Sequence, residues 1–296
     1  MARDVHKEIG MDFCEVEPRR VAEQPPRANA WTFAPLRWVQ FFPPTRIEWT
    51  RLRLPIANLP RGLDGLRILH LSDLHLKTHW PAAYDGLLGR IGQHPPDLLL
   101  FTGDFVDNKY DHRPALPLVR RMVEGWAARA GRFAIHGNHD SYAIGAALRD
   151  TGVRFIDGHR EILRLPGGGL IELIGLPGRR RLELSPRFLR SIPARNPAMV
   201  RVVLSHFPDH LRRASSLKAD IFLAGHTHGG QVCFPTGRPI LTHDALPPPL
   251  ATGAHRVGDT WLVVNRGLGY TGLPVRVFCT PEVVEITLTE KIEDGG

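Results

Sequence analysis

The chain predicts an α/β fold in which two sheets stack face to face with helices on their outer sides. Short apolar runs of strand length recur at residues 66–72, 97–102, 132–136, 200–204 and 219–224, as buried strands require. Segments with apolar residues at helical spacing lie between them, such as Leu116, Val119, Met122, Val123 and Trp126. After residue 160 the pattern changes to short paired strands across a glycine-rich turn. That change indicates a second half-sheet built from hairpin and β-α-β units.

In chain order, residues 1–45 read as an N-terminal arm, residues 46–290 as a single domain and residues 291–296 as a tail. Within the arm, residues 31–44 hold Trp31, Phe33, Trp38, Phe41 and Phe42 beside three prolines. These rings either pack on the domain or touch a membrane surface, which Trp and Phe beside Arg suit. Residues 46–56 alternate apolar and polar, the mark of a strand with one wet face. The strand at 66–72 runs into Asp73-Leu74-His75. A helix is expected at about 82–93, stopped by Pro95-Pro96. The strand at 97–102 ends at Gly103-Asp104-Phe105-Val106-Asp107, and a helix at about 115–129 should stop near Gly131. The strand at 132–136 leads into Gly137-Asn138-His139-Asp140, followed by a short helix at about 141–150 and a strand at 153–156.

Residues 161–165 and 170–176 form a predicted antiparallel hairpin around Pro166-Gly167-Gly168-Gly169. Arg179-Arg180-Arg181 sits in a loop before a helix from Ser185 and is a candidate to hold substrate. The strand at 200–204 ends at Ser205-His206. A helix at about 208–217 returns the chain to the strand at 219–224, which ends at Gly225-His226-Thr227-His228-Gly229-Gly230-Gln231. Residues 261–265 and 275–289 read as antiparallel strands.

The net charge of +8 is carried by 33 arginines against 5 lysines, spread along the chain. Dispersed solvated arginines account for it, with attraction to an anionic substrate, membrane or nucleic acid as the alternative. Three distant cysteines imply no disulfide framework. No secretory signal core and no stretch of about 18 apolar residues is present. A cytoplasmic location is therefore expected, with the arm on the inner face of the membrane as the alternative.

Five strand ends carry the same residue types: Asp73 with His75, Asp104, Asn138 with His139, His206, and His226 with His228. Each motif alone has the composition of an ordinary turn. Together, mixed nitrogen and oxygen donors suit manganese, iron or zinc better than magnesium or calcium. Seven ligands exceed one tetrahedral shell but serve two ions if a carboxylate is shared. Two ions roughly 3.5–4 Å apart can activate water and clamp a phosphoryl group.

Asp73-x-His75, Gly103-Asp104-x-x-Asp107, Gly137-Asn138-His139-Asp140, His206 and Gly225-His226-x-His228 resemble the signature of the calcineurin-like metallophosphoesterases, over about residues 66–231. Residues 63–68, Gly229-Gly230-Gln231 and Asn265-Arg266-Gly267-Leu268-Gly269 look like its bacterial phosphodiesterase branch, often membrane-tethered. The chain departs from that branch in showing no N-terminal membrane segment. The resemblance implies a four-layer α/β/β/α sandwich. It also implies one metal on Asp73, His75, Asp104 and His228, and another on Asp104, Asn138, His206 and His226, with Asp104 bridging. Manganese is the first choice, iron or zinc the alternatives.

Two dications so placed lower the pKa of a bridging water, giving hydroxide near neutral pH for in-line attack on phosphorus. The family pattern puts His139 at the leaving group or the transition-state charge. A carboxylate is expected to orient it, Asp107 first and Asp140 second. The chain thus reads as a phosphodiester or diphosphate hydrolase. The branch, the arm and the charge tilt its substrate toward an amphiphile such as a nucleotide-diphosphate-linked lipid. A non-catalytic scaffold should have lost ligands, and none is missing. A nuclease needs a clustered basic track with stacking aromatics, whereas these arginines are scattered.

Vesicle flotation separates the two readings of the arm. If residues 31–44 touch membrane, a chain lacking residues 1–44 floats less than the full chain; equal flotation assigns the rings to packing.

Overall fold

The computed structural model describes residues 13–14, 38–178, 185–242 and 245–290. Arg179–Arg181, Trp31 and Phe33 lie outside these described residues. In chain order the strands and helices are β1 (Phe13–Cys14), β2 (Val39–Phe41), β3 (Glu48–Ile56), β4 (Arg67–Leu71), α1 (Ala83–Gln93), β5 (Leu98–Phe101), α2 (Leu116–Glu124) and β6 (Gly131–Ala134). Then come α3 (Tyr142–Ala147), β7 (Arg154–Phe155), β8 (Arg160–Arg164), β9 (Leu170–Gly175), α4 (Pro186–Ser191) and β10 (Met199–Leu204). Last are α5 (His210–Arg213), β11 (Ile221–Ala224), β12 (Gly253–Val257), β13 (Thr260–Val264), β14 (Val275–Val277) and β15 (Glu282–Glu290).

One sheet has the order β3-β15-β4-β5-β6-β7, the other β1-β12-β13-β11-β10-β9-β8, and β14 pairs with β2 alone. The strands β4 to β7 run parallel, as do β9, β10, β11 and β13. Strand periodicity splits each buried run between two cores. Ile68, Leu98, Leu100, Val200, Val202, Leu204, Ile221 and Leu223 fill the space between the sheets. Leu69, Leu71, Leu99 and Phe101 point the other way, against Tyr84, Leu87 and Ile91 of α1 and Val119, Met122 and Val123 of α2. On the far sheet Val203, Phe222 and Leu262 pack with Leu211 of α5 and Phe188 and Leu189 beside it. The result is the expected four layers, α/β/β/α.

Several boundaries differ from the sequence expectation. α2 stops at Glu124, well before Gly131, which opens β6. Trp126 turns inward onto Phe101 and Phe105, and the Arg132 guanidinium donates to the carbonyls of Val123 and Trp126. Tertiary packing thus supplies the stop that glycine was expected to give. The helix expected at 208–217 splits into α5 and the short 3₁₀ turn Ser215–Leu217. Residues 275–289 are two strands in different sheets, broken where Phe278 takes a left-handed φ of 50° before Pro281. The strand at 260–264 pairs antiparallel with β12 but parallel with β11. β2, inside the expected arm, pairs with β14. Among the described residues no helix is long and apolar enough to cross a membrane.

One buried ion pair ties β9 to β10. Arg201 Nε donates to Glu172 Oε2 at 2.5 Å, and its other nitrogens donate to the carbonyls of Leu217 (2.6 Å) and Pro193 (3.0 Å). Arg160 bonds the other oxygen of Glu172. Glu172→Leu should destabilise the fold by about 3–5 kcal/mol, because a buried guanidinium loses its counter-charge. The double variant Glu172→Leu/Arg201→Met should recover most of that loss; denaturant titration of both checks it.

Candidate metal centre

The loops leaving β4, β5, β6, β10 and β11 meet at the carboxyl ends of both sheets, the usual place for a site in α/β folds. Main-chain bonds lace them together: Asp73 N donates to the Gly103 carbonyl (2.9 Å), His75 N to that of Asp104 (3.1 Å), and Gly225 N to that of His206 (3.2 Å). The Asp73 carboxylate accepts from His226 N at 3.0 Å, joining one sheet to the other. Close approach requires glycine at two positions. A Cβ on Gly225 would overlap the Ser72 hydroxyl and the Asp73 carboxylate, and one on Gly137 would overlap Asp104.

Backbone conformation marks the same residues. Among the described residues nine non-glycines have a left-handed φ, and five of them are Asp73, His75, Asp104, His226 and His228. Each such position costs on the order of 1–3 kcal/mol and persists only where its surroundings impose it. Here the strain turns side chains of successive loops toward a common point.

That point is buried and rich in electron-pair donors. Asp104 Oδ2 lies 3.3 Å from both His75 Nε2 and His206 Nε2. His206 Nδ1 donates to the Thr102 carbonyl at 2.8 Å, so its Nε2 carries the lone pair when the ring is neutral. That nitrogen also faces Asn138 Oδ1 at 2.9 Å. His75 Nε2 and His228 Nε2 are 3.0 Å apart. The His226 ring lies against His206 and Phe207, with centroids 5.0 and 4.5 Å away. Three donor groups have ligand atoms within 4.8 Å of one another: Asp73, His75 and His228; Asp73, Asp104 and His206; and His75, Asp104 and His139. Lone pairs so crowded need a positive charge between them, either a proton or a metal cation. The mixed nitrogen and oxygen set fits a divalent transition ion.

Proton affinities show the same demand. Burial presses His75 and His206 toward neutrality, but the carboxylates around them prevail and push both up to about 9. Burial likewise opposes ionisation of Asp73 and Asp104, yet the neighbouring imidazoles hold both well below the usual carboxylate range. His228 goes the other way: burial, helped by the charge of Arg276, keeps it neutral. A neutral imidazole is the form that ligates metal.

His139 meets Asp107, though not as expected. Its Nδ1 donates to the main-chain carbonyl of Asp107 at 2.5 Å. The Asp107 carboxylate instead turns to Lys77 Nζ at 3.1 Å and His75 Nδ1 at 3.5 Å. The Asp140 carboxylate accepts from the N–H groups of Asp104 (2.8 Å), Phe105 (2.9 Å) and Gly137 (2.8 Å), clamping two site loops together. Burial and the nearby charge of Asp104 raise Asp140 to about 6.

Other supports gave no sequence signal of their own. The Thr102 hydroxyl sits between His70 and Ser72 while its carbonyl holds His206. Arg276, wholly buried, places Nη2 3.1 Å from His228 Nδ1 and donates to the carbonyl of Gly269. The segment 265–269, noted for its resemblance, wraps the Asp73 turn: Gly269 N donates to the Asp73 carbonyl at 2.6 Å, and Asn265 Nδ2 to that of His70 at 2.8 Å.

Comparison with known proteins agrees with this geometry. The family model described as calcineurin-like phosphoesterase matches residues 66–230. The chain is 31% identical to the uncharacterized metallophosphoesterase YkuE of Bacillus subtilis, over 85% of this chain and 88% of that protein. It is 27% identical to phosphodiesterase YaeI of Escherichia coli (91% and 98%) and 26% identical to UDP-2,3-diacylglucosamine pyrophosphatase LpxG of Chlamydia trachomatis (82% and 89%). The match spans all five site loops and the strands that carry them, and the chain belongs to the calcineurin-like phosphoesterase family of metal-dependent phosphoester hydrolases.

Proposed function

We propose that the chain is a dinuclear phosphodiesterase or diphosphate hydrolase. The observation that carries this reading is the position of Asp104 Oδ2, equidistant from His75 Nε2 and His206 Nε2, one histidine of each proposed cation's set. Asp73, His75 and His228 would hold one cation, with Asn138, His206 and His226 on the other and Asp104 between them. Manganese suits these donors, with iron or zinc as alternatives. When bound, the pair supplies Lewis acidity and makes water nucleophilic at neutral pH.

The chain's own residues do the rest. Asp140 and the Thr102 carbonyl fix the Asp104 loop and the His206 ring, so neither reorganises during reaction. His139, fixed through Nδ1 by the Asp107 carbonyl, presents Nε2, which stabilises or protonates the leaving oxygen when the ring carries its second proton. Asp107 and Lys77 form a charged pair on the flank of His75.

Support for a diester or diphosphate comes from the relatives named phosphodiesterase and pyrophosphatase. An amphiphilic substrate fits the lipid-linked substrate in the LpxG name. It also fits Phe41, which is 65% exposed and suits peripheral membrane contact.

Asp104→Asn should abolish hydrolysis of bis(p-nitrophenyl) phosphate and lower bound metal in elemental analysis. His139→Ala should retain its metal and lose about 10²–10⁴-fold in kcat, the usual range for a positioned acid or base. Full activity in His139→Ala would remove that residue from the chemistry, and full metal content in Asp104→Asn would remove the bridge.

A further inference from the structure

Behind the histidine loop lies a thiol pair that the hydrolytic site does not use. Cys233 and Cys279 are both free and buried. Cys233 N donates to the Val277 carbonyl at 2.9 Å, and Val232 bridges to Val277, so the two segments run side by side. Cys233 Sγ lies 3.1 Å from the Gly229 carbonyl oxygen. Cys279 Sγ lies 3.1 Å from that of His228 and 3.6 Å from that of Gly229. The two sulfurs therefore converge on one peptide oxygen. That oxygen belongs to Gly229, the residue that follows His228.

Cys279 is reachable despite its burial. A cavity of about 200 Å³ is lined by Cys279, Gly229, Arg266 and Glu282 and also by the exposed Glu48 and Gly237. A site needs only about 10–15 Å³ of such volume to hold one water, so hydrogen peroxide fits. Arg276 Nη1 lies 3.9 Å from Cys279 Sγ, a cationic neighbour of the kind beside which thiols react.

We propose that Cys233 and Cys279 are an oxidative modification site, converted by a hydroperoxide into an intramolecular disulfide that disturbs the His226–His228 loop. In the first step Cys279 sulfur attacks one peroxide oxygen. An S–O bond forms, the O–O bond breaks, and the departing oxygen leaves as water with the thiol proton. Cys233 sulfur then attacks the sulfenic sulfur. The S–S bond forms, and the hydroxyl leaves as a second water with the Cys233 proton. Two thiols lose two electrons and the peroxide gains them. Both S–H donors to the His228–Gly229 turn disappear, and the sulfurs close to about 2.05 Å. The loop thus loses bonds on the side opposite its metal ligands.

The disulfide itself is independent of the proposed metal centre; only its consequence rests on that reading. The full chain, metal-loaded, is treated with hydrogen peroxide, alkylated in denaturant and mapped by mass spectrometry, with metal content measured on the same sample. The expected result is a Cys233–Cys279 linked peptide, with metal content or activity down about tenfold, the scale of losing a support behind a metal ligand. Dithiothreitol should restore both. Cys233→Ser, which keeps a hydroxyl donor, should form no link and retain its metal under the same treatment. Linkage to Cys14, or sulfinic acid on one cysteine without any linked peptide, would overturn the site. A linked peptide with metal and activity unchanged would overturn its effect on the loop.

Discussion

A single carboxylate stands where the two sheets meet. Asp104 leaves β5 in one sheet and places one oxygen 3.3 Å from His206, which leaves β10 in the other. Buried negative charge is costly unless it is matched nearby, and here the match must come from groups on both sheets. This requirement explains why the loops are tied by main-chain bonds across the divide, and why Asp73 accepts from His226 N. Relative sliding of the layers would leave buried carboxylates and imidazoles without partners, so core packing and the site constrain each other.

The strain around the centre follows from the same demand. A strand end points its side chains along the sheet normal, not over its edge. Left-handed residues at Asp73, His75, Asp104, His226 and His228 swing the donors inward, and the glycines beside them let the backbones nest. Asp140 secures this arrangement by receiving four N–H groups from two different loops. The pull of the carboxylates on His75 and His206 is the electrostatic counterpart of that geometry.

The parallel strands and the residues at their ends were legible in the sequence because buried strands are apolar on both faces and the polar residues at their exits stand out. What lay beyond local pattern was not. α2 ends where Trp126 meets rings from β5 and its following loop, a contact no helix signal encodes. Spacing put Asp107 and Asp140 near His139 but could not tell a carboxylate from a main-chain carbonyl, and it is the carbonyl of Asp107 that faces the ring. Arg276 sits in a short apolar strand with nothing nearby to suggest that it reaches His228. Lys77 likewise acquires its partner only when the β4 and β5 loops fold together.

The position of β15 bears on the order of events during synthesis. It follows every other strand of its sheet along the chain, yet it lies between β3 and β4, the two earliest members. A ribosome-bound intermediate that has already released β4, β5 and β6 therefore has a gap where β15 belongs. Vectorial translation withholds a finished ion-capturing pocket from partial chains, so nascent fragments present their aspartates and histidines without the rigid enclosure that would trap a metal.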